Sequence, residues 1–339
     1  MKKAVILFNL GGPDKLESVE PFLFNLFNDS AIISIPSFFR YPLAKLISKR
    51  RAPITKNIYK EIGNKSPILE LTIDQAKSLE NSLSEKGDYK CFVVMRCWYP
   101  RATDVIKKVK EYNPEEVILL PLYPQFSAST SGSSINEWND LCEKENYKVK
   151  TKTICCYPTE NNFIESHANL VKKTIKNLEN KNFKLLFSAH GLPKNKIKKG
   201  DPYQWQIEKT VEGIMTKLVN ENLDYIISYQ SRVGPLKWIG PPTDEVIIKY
   251  SKEKKGIVIV PVAFVSEHSE TLVELDIEYK KLAERNGCSF YKRVPALGIE
   301  ENFIKGLTKL VLQEKTRGNF VSSIMCPNKY VKCPCLVIK

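Results

Sequence analysis

Short, nearly continuous apolar runs rich in β-branched residues alternate along the chain with longer stretches in which apolar residues recur every three or four positions. The runs at 4–9, 91–96, 117–122, 149–154, 184–188, 225–228 and 257–261 predict strands. The periodic stretches at 73–83, 102–111, 163–178, 203–219 and 270–285 predict amphipathic helices. Strand and helix alternate. That order predicts an α/β chain of two Rossmann-like lobes, each a parallel sheet flanked by helices, with the ligand cleft between them. With 339 residues, against roughly 150 per domain, the lobes are expected at 1–157 and 158–315, followed by a tail at 316–339.

Composition narrows the class. Apolar residues make up 42% and charged residues 27%, so a sizeable core is available and neither disorder nor a fibrous repeat fits. The first apolar run ends at Asn9-Leu10-Gly11-Gly12-Pro13 and is too short for a signal peptide; no run of about 18 apolar residues exists. A cytoplasmic protein is expected. In that reducing setting the nine cysteines read as thiols or metal ligands rather than disulfides. Lys and Arg exceed Asp and Glu by 52 to 38, which suits nucleic acid, anionic lipid or a carboxylate-bearing ligand. The excess is mostly lysine, spread along the chain without a nucleic-acid motif, which argues against the first of these.

Gly11-Gly12 lacks GxGxxG spacing and no GKS or GKT follows, so no nucleotide site is supported. The glycines fit a tight turn or a close approach to a flat ligand. Between residues 30 and 51, apolar and aromatic residues from Ala31 to Ile47 precede Ser48-Lys49-Arg50-Arg51. This pattern suits either a segment dipping into a membrane surface or a buried helix with a basic end.

The chemistry gathers around two of the three histidines. His190 follows the strand ending at Ser188, and His268 stands in Glu267-His268-Ser269-Glu270. A neutral imidazole beyond a strand end is a candidate base or metal ligand, although for one such residue alone a structural role is the commoner explanation. In an α-helix, Glu267, Glu270, Glu274 and Glu278 would share one face. That row is either a solvated surface or a path for cations and protons.

At this point the chain resembles the ferrochelatase family. The resemblance is carried in order by Asn9-Leu10-Gly11-Gly12-Pro13, Ile62-Gly63-Asn64-Lys65-Ser66-Pro67-Ile68, Tyr123-Pro124-Gln125-Phe126-Ser127-Ala128-Ser129-Thr130-Ser131-Gly132-Ser133-Ser134, Ser188-Ala189-His190-Gly191-Leu192-Pro193, Gly200-Asp201-Pro202-Tyr203, Ser228-Tyr229-Gln230-Ser231-Arg232-Val233-Gly234-Pro235 with Trp238-Ile239-Gly240-Pro241, and Glu267-His268-Ser269-Glu270. It implies a chelatase-like fold and insertion of Fe²⁺, the substrate metal, into protoporphyrin IX, with no nucleotide. His190 and Glu270 match the family's catalytic pair. Glu267, His268 and Glu274 join them as metal-handling residues. Leu10, Arg96, Tyr123, Phe126, Ser127, Tyr229, Trp238 and Phe264 fall at substrate-binding positions, for which plain core packing is the alternative. The segment 30–51 becomes part of the cleft lip and, as in many members, a membrane contact. A monomer or a homodimer fits.

The chain also departs from the family pattern. Cys97 replaces an aromatic residue, and Tyr59-Lys60-Glu61 lacks an arginine that some relatives use for the substrate's propionates, leaving Lys60 or Arg51 as substitutes. The tail, Cys326-Pro327-Asn328-Lys329-Tyr330-Val331-Lys332-Cys333-Pro334-Cys335, offers three closely spaced thiols, one short of the Cys₄ set usual for [2Fe–2S]. The spacing resembles that of bacterial members with such a cluster. The animal position of the internal ligand falls here near Ser166, so the fourth ligand is expected to be another, Cys156 or Cys155, with Cys142 behind them; a frayed tail with plain thiols is the other reading. A chelatase for another metal or tetrapyrrole (cobalt, coproporphyrin) and a non-catalytic porphyrin carrier are the competing functions.

Overall fold

Nearly continuous apolar strands form the centre of each of two sheets, as expected where both faces are covered. The computed structural model describes residues 1–178, 182–232, 234, 236–314 and 316–336. Val233 and Pro235 of the predicted Ser228–Pro235 motif, and the last three tail residues, lie outside them.

The chain divides into two compact units, Met1–Cys155 with Leu307–Ser322, and Cys156–Gly306 with Ser323–Lys339. The division falls two residues before the expected one, and residues 307–322 belong with the first unit. The physical reason is pairing. The short strand β9 (Phe320–Ser322) adds to the edge of the first sheet, beside β4 (Lys150–Cys156), and Asn319 O accepts from Thr153 N at 2.7 Å.

In the first unit β1 (Lys2–Asn9) pairs in parallel with β2 (Asp88–Met95) and with β3 (Glu116–Pro121), which pairs in parallel with β4. The order is β2-β1-β3-β4-β9. Ala4, Ile6 and Phe8 of β1 pack with Val105, Ile106 and Val109 of α4 (Ala102–Tyr112). The turn after β1 explains its glycines: Gly11 has φ of +85°, and a Cβ on Gly12 would lie 2.5 Å from Ser66. Gly11 thus takes the tight turn expected, and Gly12 allows the turn to approach Ser66 closely.

α1 (Val19–Phe27) and α2 (Ser37–Lys60) precede β2. α2 buries only Ala44, Ser48, Ala52 and Tyr59, small residues for the most part, whereas Phe38 and Phe39 are 81% and 60% exposed and Tyr41, Leu46 and Ile54 are exposed too. It is therefore not an ordinary buried helix. No helix among the described residues is long and apolar enough to cross a membrane.

In the second unit β5 (Phe183–His190), β6 (Tyr225–Gln230), β7 (Gly256–Pro261) and β8 (Tyr291–Arg293) form a parallel sheet ordered β6-β5-β7-β8. Ile257 and Ile259 of β7 pack with Val246 and Ile247 of α9 (Thr243–Lys252). The predicted helix over 270–285 is divided in two: Glu270–Tyr279 is a π-helix, and only Lys280–Arg285 is α-helical.

Candidate active site

The catalytic candidates stand where the second sheet's strands end, as parallel α/β sheets dictate. His190 is the last residue of β5, Gln230 the last of β6, and the π-helix with its approach, Glu267 to Glu274, follows β7. His190 Nδ1 lies 2.6 Å from Gly191 O. A carbonyl only accepts, so Nδ1 carries a proton, and it is Nε2 that presents the lone pair when the ring carries one proton. That Nε2 is 3.8 Å from Glu270 Oε1, and His268 Nε2 is 3.9 Å from Glu270 Oε2. One carboxylate thus faces two imidazoles. Glu270 Oε2 and His268 Nδ1 are buried and have no hydrogen-bond partner among the described residues.

Burial lowers the affinity of His268 for a proton; Glu270 and Glu267 only partly offset it, and the ring stays neutral more readily than an exposed one. Phe264 packs on it, ring centroids 4.8 Å apart. Glu274 sits behind Glu270 in a cage of neutral donors. It accepts from Ser231 N (2.9 Å), Ser231 Oγ, Gln230 Nε2 (2.9 Å) and Tyr279 Oη (3.0 Å). Burial, and then the negative charge of Glu270, raise the Glu274 carboxyl above the usual range despite those donors. Two neighbouring carboxylates, one of them with a raised proton affinity, can hold and pass a proton.

Glu267 has other partners. Its carboxylate accepts from Arg293 Nη1 at 2.9 and 3.1 Å and from Ala296 N at 2.9 Å. Burial opposes its charge most, but the adjoining guanidinium and the hydrogen bonds from Thr271 and Ala296 together hold the carboxyl below its ordinary value. Glu278, the fourth member of the expected row, is exposed. Sequence reasoning missed Gln230, Ser231, Tyr279 and Arg293. The first two stood in a quoted motif, and nothing local marked the others.

Of the apolar positions in this unit, Tyr229 is fully buried, whereas Trp238 and Phe264 are half-buried. In the first unit Leu10, Arg96 and Tyr123 follow the ends of β1, β2 and β3 in turn, along one sheet edge. Phe126 and Ser127 are buried; Ser127 accepts Ser129 N on Oγ and Thr130 N and Gly132 N on its carbonyl, opening α5 (Ser131–Lys144). The Arg96 guanidinium is engaged with Asp29 (3.0 Å), Glu137 (3.1 Å) and Ser133 Oγ (2.7 Å). Cys97 is buried, and burial pushes its thiol up to about 12. Lys60 is exposed and Arg51 lies over the Phe27 ring.

The tail thiols are buried, and none of the nine cysteines is in a disulfide. Gln206 Nε2, on α8 (Tyr203–Lys217), donates to Cys326 Sγ at 3.2 Å and Cys156 Sγ at 3.4 Å. Cys326 is hydrogen-bonded to Cys333, which with burial raises its thiol. Cys155 joins directly to Cys156, whose carbonyl accepts Ser323 N, and its Sγ lies with those of Cys333 and Cys335 within 4.8 Å of one another. These thiols are compatible with a metal site. Cys142 packs instead on the first unit's core.

A family model, Ferrochelatase, matches residues 2–315. The chain belongs to the ferrochelatase family. It is 63% identical over 343 residues to the ferrochelatase of Pelagibacter ubique (strain HTCC1062), covering 99% of both chains, and 50% identical to that of Rickettsia felis, again over 99% of both. Ferrochelatases are lyases that insert ferrous iron into a porphyrin in haem synthesis, and family membership carries that activity and its substrates to this chain. Among solved structures, SirB from Bacillus subtilis with Fe³⁺ has a TM-score of 0.52 at 12% identity, covering 92% of this chain and 94% of that one. The sirohydrochlorin chelatase SirB of the spizizenii subspecies, in complex with cobalt, has a TM-score of 0.52 at 11% identity over 90% and 92%. At that identity the likeness extends to the chelatase fold.

Proposed function

We propose that this ferrochelatase acts on protoporphyrin IX and that the reaction runs at His190 and Glu270. The observation that carries this reading is the single carboxylate of Glu270 set between two imidazoles, with a proton-retaining carboxyl at Glu274 behind it. As Fe²⁺ enters, the porphyrin releases two pyrrole protons, and the site must take up both. The His190 Nε2 lone pair accepts one or hands over the metal. Glu270 and Glu274 relay protons or guide the cation. Among the described residues no three of these donors lie close enough together to cage an ion, which suits a metal that must pass on to its product. Leu10, Tyr123, Phe126, Ser127, Tyr229, Trp238 and Phe264 are the proposed porphyrin-facing positions, Trp238 and Phe264 being the more exposed of the aromatic ones in their unit. Arg96 would have to leave Asp29 and Glu137 to meet a propionate.

Two finer readings accompany this one. The buried tail thiols fit a [2Fe–2S] cluster held by Cys326, Cys333 and Cys335 with an internal cysteine. The thiol grouping favours Cys155 over Cys156 for that place. When bound, the cluster would supply a one-electron redox centre; Gln206 would supply the hydrogen bond to its sulfurs. The exposed aromatic residues of α2 and the lysines and arginines after them suit peripheral contact with an anionic membrane surface.

The deciding experiment is anaerobic insertion of Fe²⁺ or Zn²⁺ into protoporphyrin IX, followed by absorbance, with wild type beside His190→Ala and Glu270→Gln. Both variants are expected to lose about 10²–10⁴-fold in turnover, the usual worth of a positioned acid or base, while still binding porphyrin. A His190→Ala enzyme that turns over like wild type would rule the reading out.

A further inference from the structure

Arg293 closes β8, in register with Ile259 of β7, and its side chain is only 12% exposed. The guanidinium meets two carboxylates at once. Nη1 donates to both oxygens of Glu267 at 2.9 and 3.1 Å, while Nε and Nη2 donate to the two oxygens of Asp276 at 2.6 and 2.7 Å. Glu267 precedes the π-helix and Asp276 lies within it, beyond Glu270 and Glu274. The clamp therefore spans the segment that bears both metal-handling carboxylates.

A π-helix needs such a clamp. Its i→i+5 bonds make a wide turn that is rare beyond a single turn, and over ten residues the competing α-helix must be held off by tertiary contacts. Re-winding to α would rotate Glu270 away from His190 and His268, and Glu274 away from Ser231 and Gln230. The planar fork of an arginine can fix two carboxylates in set directions, whereas the point charge of a lysine cannot.

We propose that Arg293 is a positioning residue for metal handling, holding Glu270 and Glu274 in π-helical register through Glu267 and Asp276, and that Glu267 acts through this clamp instead of binding metal. The inference rests on the reading of Glu270 as a metal- and proton-handling group.

The test compares Arg293→Met, Arg293→Lys and Glu267→Gln with wild type and Glu270→Gln, reading the KM for Zn²⁺, kcat, the Kd for protoporphyrin IX by fluorescence and the melting temperature. Removing a partner that orients metal-binding groups commonly costs 10–100-fold in metal affinity or activity. Arg293→Met is expected to raise the metal KM by about that factor, with porphyrin Kd unchanged within about twofold; Arg293→Lys should fall between the two. Should Arg293→Met fail to fold, Arg293→Lys and Glu267→Gln carry the same test with milder changes. Folded variants whose metal KM equals that of wild type would overturn the clamp, as would a porphyrin Kd that weakens in step with the metal KM. If Glu270→Gln also leaves metal KM and kcat intact, it is the underlying reading of the site that has failed.

Discussion

His167, in α6 (Asn161–Ile175), is wholly buried against Phe163, and neither ring nitrogen has a hydrogen-bond partner among the described residues. Burial alone lowers its pKa from 6.5 to about 3. The folded state thus resists a proton that the unfolded chain takes up. Below pH 6.5 the unfolded state binds more protons, so stability from this group is complete above that value and declines as pH falls towards 3, by about 1 kcal/mol per pH unit. His167→Leu is expected to flatten this acid-side decline in urea titrations between pH 6.5 and 4. An unchanged slope would mean that another group carries the decline. Glu274 shows the same desolvation acting in the opposite direction, since a buried acid keeps its proton where a buried base loses it. In the site itself, burial lowers His268 and raises Glu274.

At the scale of elements, the decisive feature is the π-helix, because it changes which residues share a face. An α-helix would align Glu267, Glu270, Glu274 and Glu278; the observed segment brings Glu270 and Glu274 into the site, commits Glu267 to Arg293 and leaves Glu278 exposed. The tail is a second such element. Its Lys332 N donates to Gly200 O, Tyr330 packs near Trp205 and Gln206 reaches two thiols, so it is anchored on the loop and helix that follow His190. Anaerobically purified protein is expected to show the visible absorbance and reduced-state EPR signal of a [2Fe–2S] cluster, both abolished by Cys335→Ser. Iron-free protein from iron-replete cells would exclude the cluster.

At the scale of the molecule, a net charge of +14 adds a long-range attraction to the local apolar surface of α2. Sedimentation with anionic phosphatidylglycerol vesicles should pull the protein down at low salt, less at high salt as screening grows, and several-fold less for Phe38→Ser with Phe39→Ser. Equal binding to neutral vesicles, or none to either, would remove the membrane reading. Much of this chain was legible before any fold was in hand. All seven predicted strands are present, because runs such as those of β1, β3 and β7 are buried on both faces and their patterns need no tertiary context. The order of motifs identified the family and marked His190 and Glu270 as its candidate pair. By itself, then, the sequence determined the alternating α/β order, the family and the residue types available for chemistry, since those depend on local periodicity and covalent order. Tertiary structure alone decided the π-helical register, the Arg293 clamp, the return of residues 307–322 to the first sheet and the placing of Cys155 with the tail thiols. Each of these joins residues far apart in the chain, or sets one helix geometry against another of nearly equal local preference, and only packing can make that choice.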